Sequence, residues 1–253
     1  MGDRREVSLP SFTQNVCVVL VHPQHDGNIG AVARSMLNFG INDLRVVGRS
    51  GEWSMEARQR AKNAQEVLDG SKTVATIEEA VSDCSLVIGT SGKREDGDKT
   101  AMRHFLLPEE IPYRLSGADG RVAIVFGPEG KGLLNEQLAM CDLLVTIPTW
   151  EGYPILNLSH AVSIICFSWY VNSEGSKPPG TGGRLLDPHL RDKLRSEVRR
   201  LVQTMPTKEH RRKGVEETML RVILRGLPKN DEIHRIIGVI SESADSFKTK
   251  YEQ

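Results

Sequence analysis

The sequence predicts an α/β fold: a mainly parallel sheet with helices on both faces, followed by a small all-helical C-terminal module. Three observations lead to this prediction. Short apolar runs alternate with segments of helical periodicity, the first of these runs is apolar throughout, and the composition changes after residue 171. Strands alternating with helices indicate a parallel sheet with helices on its faces. Such strands are buried on both sides, which explains why they lack polar alternation.

The first half of the chain follows this alternation from its first strand. Val16–Val21 is an apolar run rich in valine, as expected of a buried strand. Asn28 is placed to cap the next helix, whose apolar residues recur at helical spacing as far as Gly40. The following elements are predicted in order as a strand at 44–47, a helix at 53–68, a short strand at 72–75, a helix at 77–81 and a strand at 85–89.

The second half predicts two further strands, a long apolar helix and then a change of architecture. The α/β elements are predicted as a strand at 122–126, a helix at 133–140, a strand at 143–147 and a helix at 155–170. Residues 172–183 are rich in Gly, Pro and Ser, which is typical of a flexible linker. Beyond it, leucine and valine at 190, 194, 198 and 201 recur at helical spacing, and two more helices are predicted at 215–225 and 233–240. We therefore divide the chain into an α/β domain at 1–172, a linker at 173–187 and a helical module at 188–253.

Charge and cysteine content restrict the partners and the compartment. Lys and Arg balance Asp and Glu at 33 each, but the segment from Pro188 onward has 15 Lys and Arg against 10 Asp and Glu, a net charge of +5. A basic module indicates an anionic partner, although an ordinary solvated helix surface would look the same. None of the four cysteines has metal-pair spacing, and buried thiols suit a reducing compartment. No apolar run is long enough to span a bilayer, so we expect a cytoplasmic protein with no membrane association.

Four loops that follow predicted strands contain residues suited to a ligand site, at 22–30, 89–94, 126–133 and 147–157. Loops at the carboxyl ends of parallel strands meet at one edge of the sheet, where α/β proteins bind ligands. Because these loops offer mainly backbone groups, the reactive atom is expected to belong to a cofactor rather than to a side chain. The helix start at Gly27–Gly30 would suit an anion such as phosphate. Each loop taken singly has an ordinary explanation, such as a tight turn, a solvated Glu129 or a capping Asn157, but all four together favour a functional site. No metal site is expected, because His22 and His25 lack an acidic cluster to complete one.

Three motifs in this region resemble the SPOUT superfamily of RNA methyltransferases, and within it the TrmJ-like tRNA 2′-O-ribose methyltransferases. They are N-I-G-A-V-A-R-S-M-L-N-F-G at 28–40, F-G-P-E-G-K-G-L at 126–133 and I-P-T-W-E-G-Y-P-I-L-N-L-S-H-A-V at 147–162. They occur in the family's order and spacing, and the resemblance covers about residues 14–172. It implies an α/β domain whose C-terminal part forms a trefoil knot. It also implies a homodimer with the active site near the subunit interface.

The resemblance further implies S-adenosylmethionine as cofactor and tRNA as substrate, with 2′-O-methylation of a cytidine or uridine ribose at anticodon-loop position 32. Arg34 matches the family's essential arginine, and Asn28, Glu129 and Asn157 match its polar motif residues. Ile155 stands where many relatives have serine, so no role is assigned to a hydroxyl at that position. The cofactor contacts implied by position are Thr90, Ser91, Gly92, Gly127, Ile147, Pro154, Ile155 and Leu156.

The helical module is expected to hold the RNA through cations that contact phosphates. Three other functions compete with this interpretation: methylation of ribosomal RNA or another tRNA site, a non-catalytic RNA-binding module of the same fold, and a nucleotide-dependent α/β enzyme. Intact Arg34, Glu129 and Asn157 argue against the second. The lack of a P-loop or dinucleotide fingerprint argues against the third. The predicted RNA contacts are Arg191, Arg195, Arg199, Arg211, Arg212 and Lys213.

Overall fold

The computed structural model describes residues 7–92, 105–115, 120–174, 186–226 and 228–251. Within these residues, seven strands form a single sheet in the order β3-β2-β1-β6-β4-β7-β5, and all its neighbouring pairs are parallel. The predicted α/β class with a parallel sheet is therefore confirmed. The strands are β1 (Val16–Val21), β2 (Asp43–Val47), β3 (Lys72–Val74), β4 (Leu86–Thr90), β5 (Phe105–Leu106), β6 (Val122–Phe126) and β7 (Leu143–Val145).

Helices cover both faces of this sheet, as predicted. Alternate residues of β1 point to opposite sides, so that Val18 and Leu20 belong to one apolar core while Cys17 and Val19 belong to the other. No helix in the described part of the chain is both long enough and apolar enough to cross a membrane. The helices of the α/β part are α1 (Asp26–Asn38), α2 (Met55–Ala61), α3 (Gln65–Asp69), α4 (Ile77–Ala80), α5 (Glu110–Leu115), α6 (Asn135–Ala139) and α7 (Leu158–Glu174).

The structure departs from the sequence prediction at two places. The single helix predicted at 53–68 is two helices, α2 and α3, because the backbone of Lys62 turns to a positive φ of 53° after α2. The edge strand β5 and the helix α5 were not predicted at all. A strand of two residues shows no periodicity, and β5 pairs with β7, which lies 37 residues or more further along the chain, so its pairing follows from the fold rather than from local sequence.

The C-terminal segment forms three helices: α8 (Pro188–Thr204), α9 (Glu209–Arg225) and α10 (Asn230–Tyr251). The Asp187 side chain caps α8 by accepting hydrogen bonds from the backbone N–H groups of His189 and Leu190. Apolar residues of all three helices pack into a core separate from those of the sheet, in agreement with the predicted helical module. Most of the predicted linker lies outside the described residues, so the domain boundaries stay a prediction.

Strand β7 lies between β4 and β5, both of which precede it in the chain. The carboxyl ends of β4, β6 and β7 therefore meet at one edge of the sheet, where three of the predicted site loops begin. The order of the strands in the sheet therefore brings these three loops together. The trefoil knot implied by the family resemblance stays a prediction.

Candidate active site

A cavity of about 320 Å³ opens at the carboxyl ends of β4, β6 and β7. Gly130 and Gly132 shape its rim with φ angles of 77° and 66°, a backbone region that favours glycine. The eight residues predicted to contact a cofactor all line this cavity, although the contact itself stays a prediction. They are Thr90, Ser91, Gly92, Gly127, Ile147, Pro154, Ile155 and Leu156.

The walls of the cavity combine apolar side chains and glycines with a few polar side chains. The hydroxyl of Thr90 donates to the carbonyl of Val125 at 3.0 Å, and the N–H of Ser91 donates to the carbonyl of Val145 at 3.1 Å. These bonds hold the loop after β4 against the two neighbouring strands. Among the described lining residues, Glu129 and Lys131 are the charged ones, and there is no cysteine, histidine or aspartate. The described lining is therefore suited to binding a small organic molecule, and it offers few side chains that could act as a nucleophile or base.

One residue from each of the three motifs joins a hydrogen-bonded group that we call the mouth of the cavity. Glu129 lines the cavity itself, and Asn157 lies between the lining residues Leu156 and Leu158, whereas Asn28 is not a lining residue. The amide nitrogen of Asn28 donates to Glu129 Oε1 at 2.7 Å, and the amide nitrogen of Asn157 donates to Asn28 Oδ1 at 3.2 Å. Asn157 Oδ1 in turn accepts from the backbone N–H of Ser159 at 2.9 Å. A continuous hydrogen-bond chain therefore joins the loops before α1, after β6 and before α7. The sequence placed these residues in separate motifs, and the structure brings them together.

Glu129 also anchors the loop that enters α1. Its carboxylate accepts from the backbone N–H of Gln24 at 2.8 Å and from that of His25 at 3.3 Å. Burial by itself would raise the pKa of Glu129, but the hydrogen bonds from Asn28, Gln24 and His25 outweigh burial and lower this pKa below its ordinary value. The anion that the N–H groups of Gln24 and His25 bind is therefore the carboxylate of Glu129. The suitability of the neighbouring helix start at Gly27–Gly30 for a phosphate stays a prediction.

Two predictions about the asparagines have different outcomes. Asn28 does not cap α1, because the helix begins at Asp26 and His25 is in the N-cap position without a side-chain cap. Because the Asn28 side chain does not cap the helix, it bonds both Glu129 and Asn157 instead. For Asn157 a cap and a site residue were both open. It directly precedes α7 and bonds Ser159, as a cap does, while its amide group reaches Asn28. Its role in the site stays a prediction.

Arg34 lies six residues beyond Asn28 on α1, which is about 9 Å along the helix axis. It is exposed and lines an open groove between α1 and α2, whereas it is not among the residues that line the cavity. Within one chain, the predicted essential arginine and the predicted cofactor cavity are therefore neighbouring but separate features.

The cations of the helical module separate into two groups, which sequence spacing could not distinguish. Arg195 forms an ion pair with the fully buried Asp142 at 2.6 Å, and Arg191 lies 3.6 Å from the same carboxylate. Arg191 is itself only 7 % exposed. This corrects the expectation that both would face RNA phosphates, because their guanidinium groups hold α8 against the start of β7. Arg199 is exposed and pairs with Glu216, and the remaining predicted cations, Arg211, Arg212 and Lys213, lie at the start of α9.

Sequence reasoning missed Asp142, which joins the two parts of the molecule. Its second carboxylate oxygen accepts from the backbone N–H of Val87 at 2.8 Å, so it also fixes the start of β4 against β7. The available signal was a single acidic residue immediately before the apolar run that begins at Leu143. An acid in that position usually belongs to a turn, and nothing local identifies its partners on α8.

The parallel sheet and the backbone-lined cavity define the class of protein: an α/β enzyme that holds a small cofactor at the carboxyl ends of its strands. The family model of the SpoU rRNA Methylase family matches residues 15–167. The chain belongs to this family. The match contains all three motifs and every residue of the cavity mouth described above.

Individual relatives agree with this assignment. The chain is 40% identical over 188 residues to the tRNA (cytidine-2′-O-)-methyltransferase TrmJ of Methanocaldococcus jannaschii, covering 74% of this chain and 78% of that protein. It is 31% identical to the tRNA (cytidine/uridine-2′-O-)-methyltransferase TrmJ of Klebsiella pneumoniae, over 94% of this chain and 99% of that one. The crystal structure of TrmJ from Z. mobilis ZM4 superimposes with a TM-score of 0.69 at 27% identity, covering 89% of this chain and 97% of that chain.

Proposed function

We propose that this protein transfers a methyl group from S-adenosylmethionine to a ribose 2′-hydroxyl of tRNA, at anticodon-loop position 32. The observation that supports this most strongly is the hydrogen-bond chain of Asn28, Glu129 and Asn157 at the mouth of the cavity. The relatives described above are tRNA 2′-O-methyltransferases, and two of them match this chain over 74% and 94% of its length. Position 32 follows from the family resemblance.

The cavity suits this cofactor in size and chemistry. Its volume of about 320 Å³ lies within the range of roughly 300–1,000 Å³ that is usual for small-molecule sites. Leu138, Val145 and Leu156 offer apolar contact to a planar ring, and the backbone at Gly127 and Ile147 offers hydrogen-bond groups. When bound, S-adenosylmethionine supplies an electrophilic methyl group attached to a sulfonium. The residues of the chain then have to orient the hydroxyl and direct its proton.

In this proposal Arg34 contacts the ribose that is methylated and the phosphate next to it. A guanidinium group carries donors and no acceptor, so the side chain is not assigned the role of a base. It acts electrostatically, by holding the neighbouring phosphate and by stabilising negative charge on the 2′-oxygen as the proton leaves to phosphate or water. Glu129 does not accept that proton in this proposal, since its hydrogen bonds lower its pKa and make it a weak base.

We also propose that two copies of the chain form a homodimer through α7. Three apolar side chains spaced along this helix are exposed: Ile164 by 37%, Phe167 by 53% and Val171 by 47%. A contiguous apolar stripe of this kind is unusual on a monomer. Since Ser163 on α7 also bonds Ser35 on α1, a partner on this stripe would lie beside the helix that presents Arg34. Analytical ultracentrifugation tests this: Phe167→Glu should sediment as a monomer, whereas the exposed-surface control Val239→Glu on α10 should not change the mass.

The helical module provides further affinity for RNA in this proposal. With Arg191 and Arg195 engaged by Asp142, the phosphate contacts fall to Arg199, Arg211, Arg212 and Lys213. Removing residues 184–253 should therefore weaken tRNA binding more than cofactor binding. Equal tRNA affinity of the truncated protein would contradict this role. A cytoplasmic location is part of the same proposal, because the four free cysteines suit a reducing compartment.

One experiment tests the function directly. The protein is incubated with methyl-labelled S-adenosylmethionine and total RNA, and the labelled ribose is mapped by mass spectrometry. Label at the 2′-oxygen of tRNA position 32 supports the proposal. Label in ribosomal RNA or at another tRNA position would favour the first competing function, and cofactor binding without transfer would favour a non-catalytic module.

A further inference from the structure

A second concave surface lies outside the cofactor cavity, between the exposed face of α1 and the C-terminal end of α2. This α1–α2 groove has a volume of about 520 Å³. Three of its seven lining residues are the cations Arg34, Arg60 and Lys62, and none of the seven is acidic. The other polar lining residues are Ser35, Asn38 and Gln59.

The groove exists because two glycines let the helices approach closely. A Cβ atom at Gly30 would lie 2.0 Å from the carbonyl oxygen of Ala57, and one at Gly27 would lie 2.7 Å from Nε of Arg60. The guanidinium of Arg60, together with the carboxylate of Glu56, therefore lies over Gly27 in the first turn of α1. Arg34 lies about two turns further along the same helix. The close approach of the helices thus places Arg60 of α2 on the same side of α1 as Arg34, and both line the groove.

Lys62 is the less expected of the two cations on the α2 side. Its backbone has φ 53° and ψ −116°, a conformation that glycine adopts readily and other residues adopt at a cost. The carbonyl of Lys62 accepts a hydrogen bond from the Gln65 side chain at 2.9 Å, which fixes the turn without any use of the lysine side chain. Glycine would fit this backbone conformation better than lysine does. The presence of lysine therefore favours a functional role for its exposed ammonium group, such as binding an anion.

The ion pair that engages Arg60 is exposed to solvent and can be replaced by another anion. Arg60 bonds Glu56 at 3.2 Å, but both side chains are about 60% exposed, at 60% and 59%. Exposed helix pairs of this type add little stability and are screened by salt. A phosphodiester, with two oxygens for a bidentate contact, can take the place of this carboxylate on Arg60.

We propose that the α1–α2 groove binds the sugar-phosphate backbone of the RNA strand that flanks the methylated nucleotide. This inference rests on the proposed function: Arg34 lies at the ribose that is methylated, and Arg60 and Lys62 bind adjacent phosphates. The amide groups of Asn38 and Gln59 suit ribose hydroxyls and phosphate oxygens. Because all these contacts are to the backbone, the groove positions the strand without reading its bases.

The test is the double variant Arg60→Gln, Lys62→Gln, compared with the wild type and with Lys72→Gln as a matched control. Lys72 is an exposed lysine on the edge strand β3 of the same sheet, away from the groove. The measurements are the KM for tRNA, the dissociation constant for S-adenosylmethionine by calorimetry, and tRNA affinity over a range of salt concentrations. We expect the KM for tRNA to rise roughly tenfold, and the slope of log K against log salt to become shallower by about 1.5, as for two lost phosphate contacts. Cofactor affinity should equal that of the wild type, and the control should match the wild type in every measurement.

The outcomes separate this inference from the proposed function. If the wild type methylates tRNA and the double variant retains its KM and salt slope, the groove inference is wrong and the proposed function stands. If the wild type methylates no RNA, the proposed function itself fails. A change in sedimentation from dimer to monomer with unaltered salt slope would assign the groove to a subunit contact, which also overturns the inference.

Lys62→Gly provides a second test that does not depend on loss of stability. Glycine relieves the backbone conformation at this position, so the melting temperature should stay the same or rise. The tRNA affinity should nevertheless fall, and Lys62→Arg should retain it. A glycine variant with wild-type tRNA affinity would show that the side chain has no role in RNA binding.

Discussion

Replacing Glu129 with glutamine tests the hydrogen-bond chain that joins the three motifs. The carboxylate accepts from Asn28 at 2.7 Å, from the N–H of Gln24 at 2.8 Å and from the N–H of His25 at 3.3 Å. Gln24 bonds one oxygen, while Asn28 and His25 share the other. A glutamine keeps a single acceptor oxygen, so at least one donor loses its partner and faces an NH₂ group instead.

The size of the effect follows from these contacts. A hydrogen bond to a charged group contributes about 1.5–3 kcal/mol, and partial exposure at this site reduces that value. We therefore expect Glu129→Gln to lower the free energy of unfolding by about 1–2 kcal/mol, which for a chain of this size is a fall of about 3–6 °C in melting temperature. Because the loop after β6 forms one wall of the cavity, the dissociation constant for S-adenosylmethionine should rise as well.

The pH dependence gives a sharper test than the melting temperature at one pH. The pKa of Glu129 is lowered in the folded state, so its stabilising contribution is complete above the ordinary glutamate pKa of about 4.3 and is lost as the pH falls through the lower folded value. The difference in melting temperature between wild type and Glu129→Gln should therefore be largest near neutral pH and shrink toward pH ~3. Glu151→Gln, at an exposed position within the third motif, is the control and should show little difference at any pH. A difference that stays constant with pH, or none at neutral pH, would refute the reasoning.

Three further substitutions test other parts of the structure. Arg34→Ala should lower kcat about 10²–10³-fold and leave the affinity for S-adenosylmethionine intact, and normal turnover would contradict its electrostatic role. Gly30→Val should cost about 2–3 kcal/mol in thermal unfolding, since its Cβ would lie 2.0 Å from the Ala57 carbonyl, whereas Gly238→Ala, with open space around it, should be neutral or slightly stabilising. Asp142→Asn should cost about 3 kcal/mol in denaturant unfolding, because Arg195 would lose its counter-ion at a fully buried site, and an unchanged midpoint would show that the pair is dispensable.

Most of the sheet could be predicted because its strands are continuous apolar runs. The limits of β1 and β6 agree with the prediction to the residue, since both strands are buried on both faces and end at loop residues. The break between α2 and α3 could not be predicted in the same way. Its apolar spacing continues across Lys62, and only the positive φ of that residue ends the first helix.

The eight lining residues named from the sequence could be predicted because each lies at or just after the end of a strand, or just before a helix. What the side chains of Asn28 and Arg191 do could not be predicted, since their partners lie far away in sequence. Asparagine is a residue type common at helix caps, which suggested a cap for Asn28. Arg191 lies in a regular series of arginines on one helix, which suggested a contact to phosphate. Their actual partners, Glu129 and Asp142, become neighbours only when the sheet assembles.

The hydrogen bonds of Asn28 have a consequence for biosynthesis. Its two side-chain partners lie 101 and 129 residues downstream, so the mouth of the cavity cannot close while those residues are still inside the ribosome. Contacts of such long sequence separation form late, after the loop-closure entropy of the intervening chain has been overcome. A nascent chain can therefore pair β1 with β2 early, yet it becomes competent to hold a ligand only once α7 has emerged.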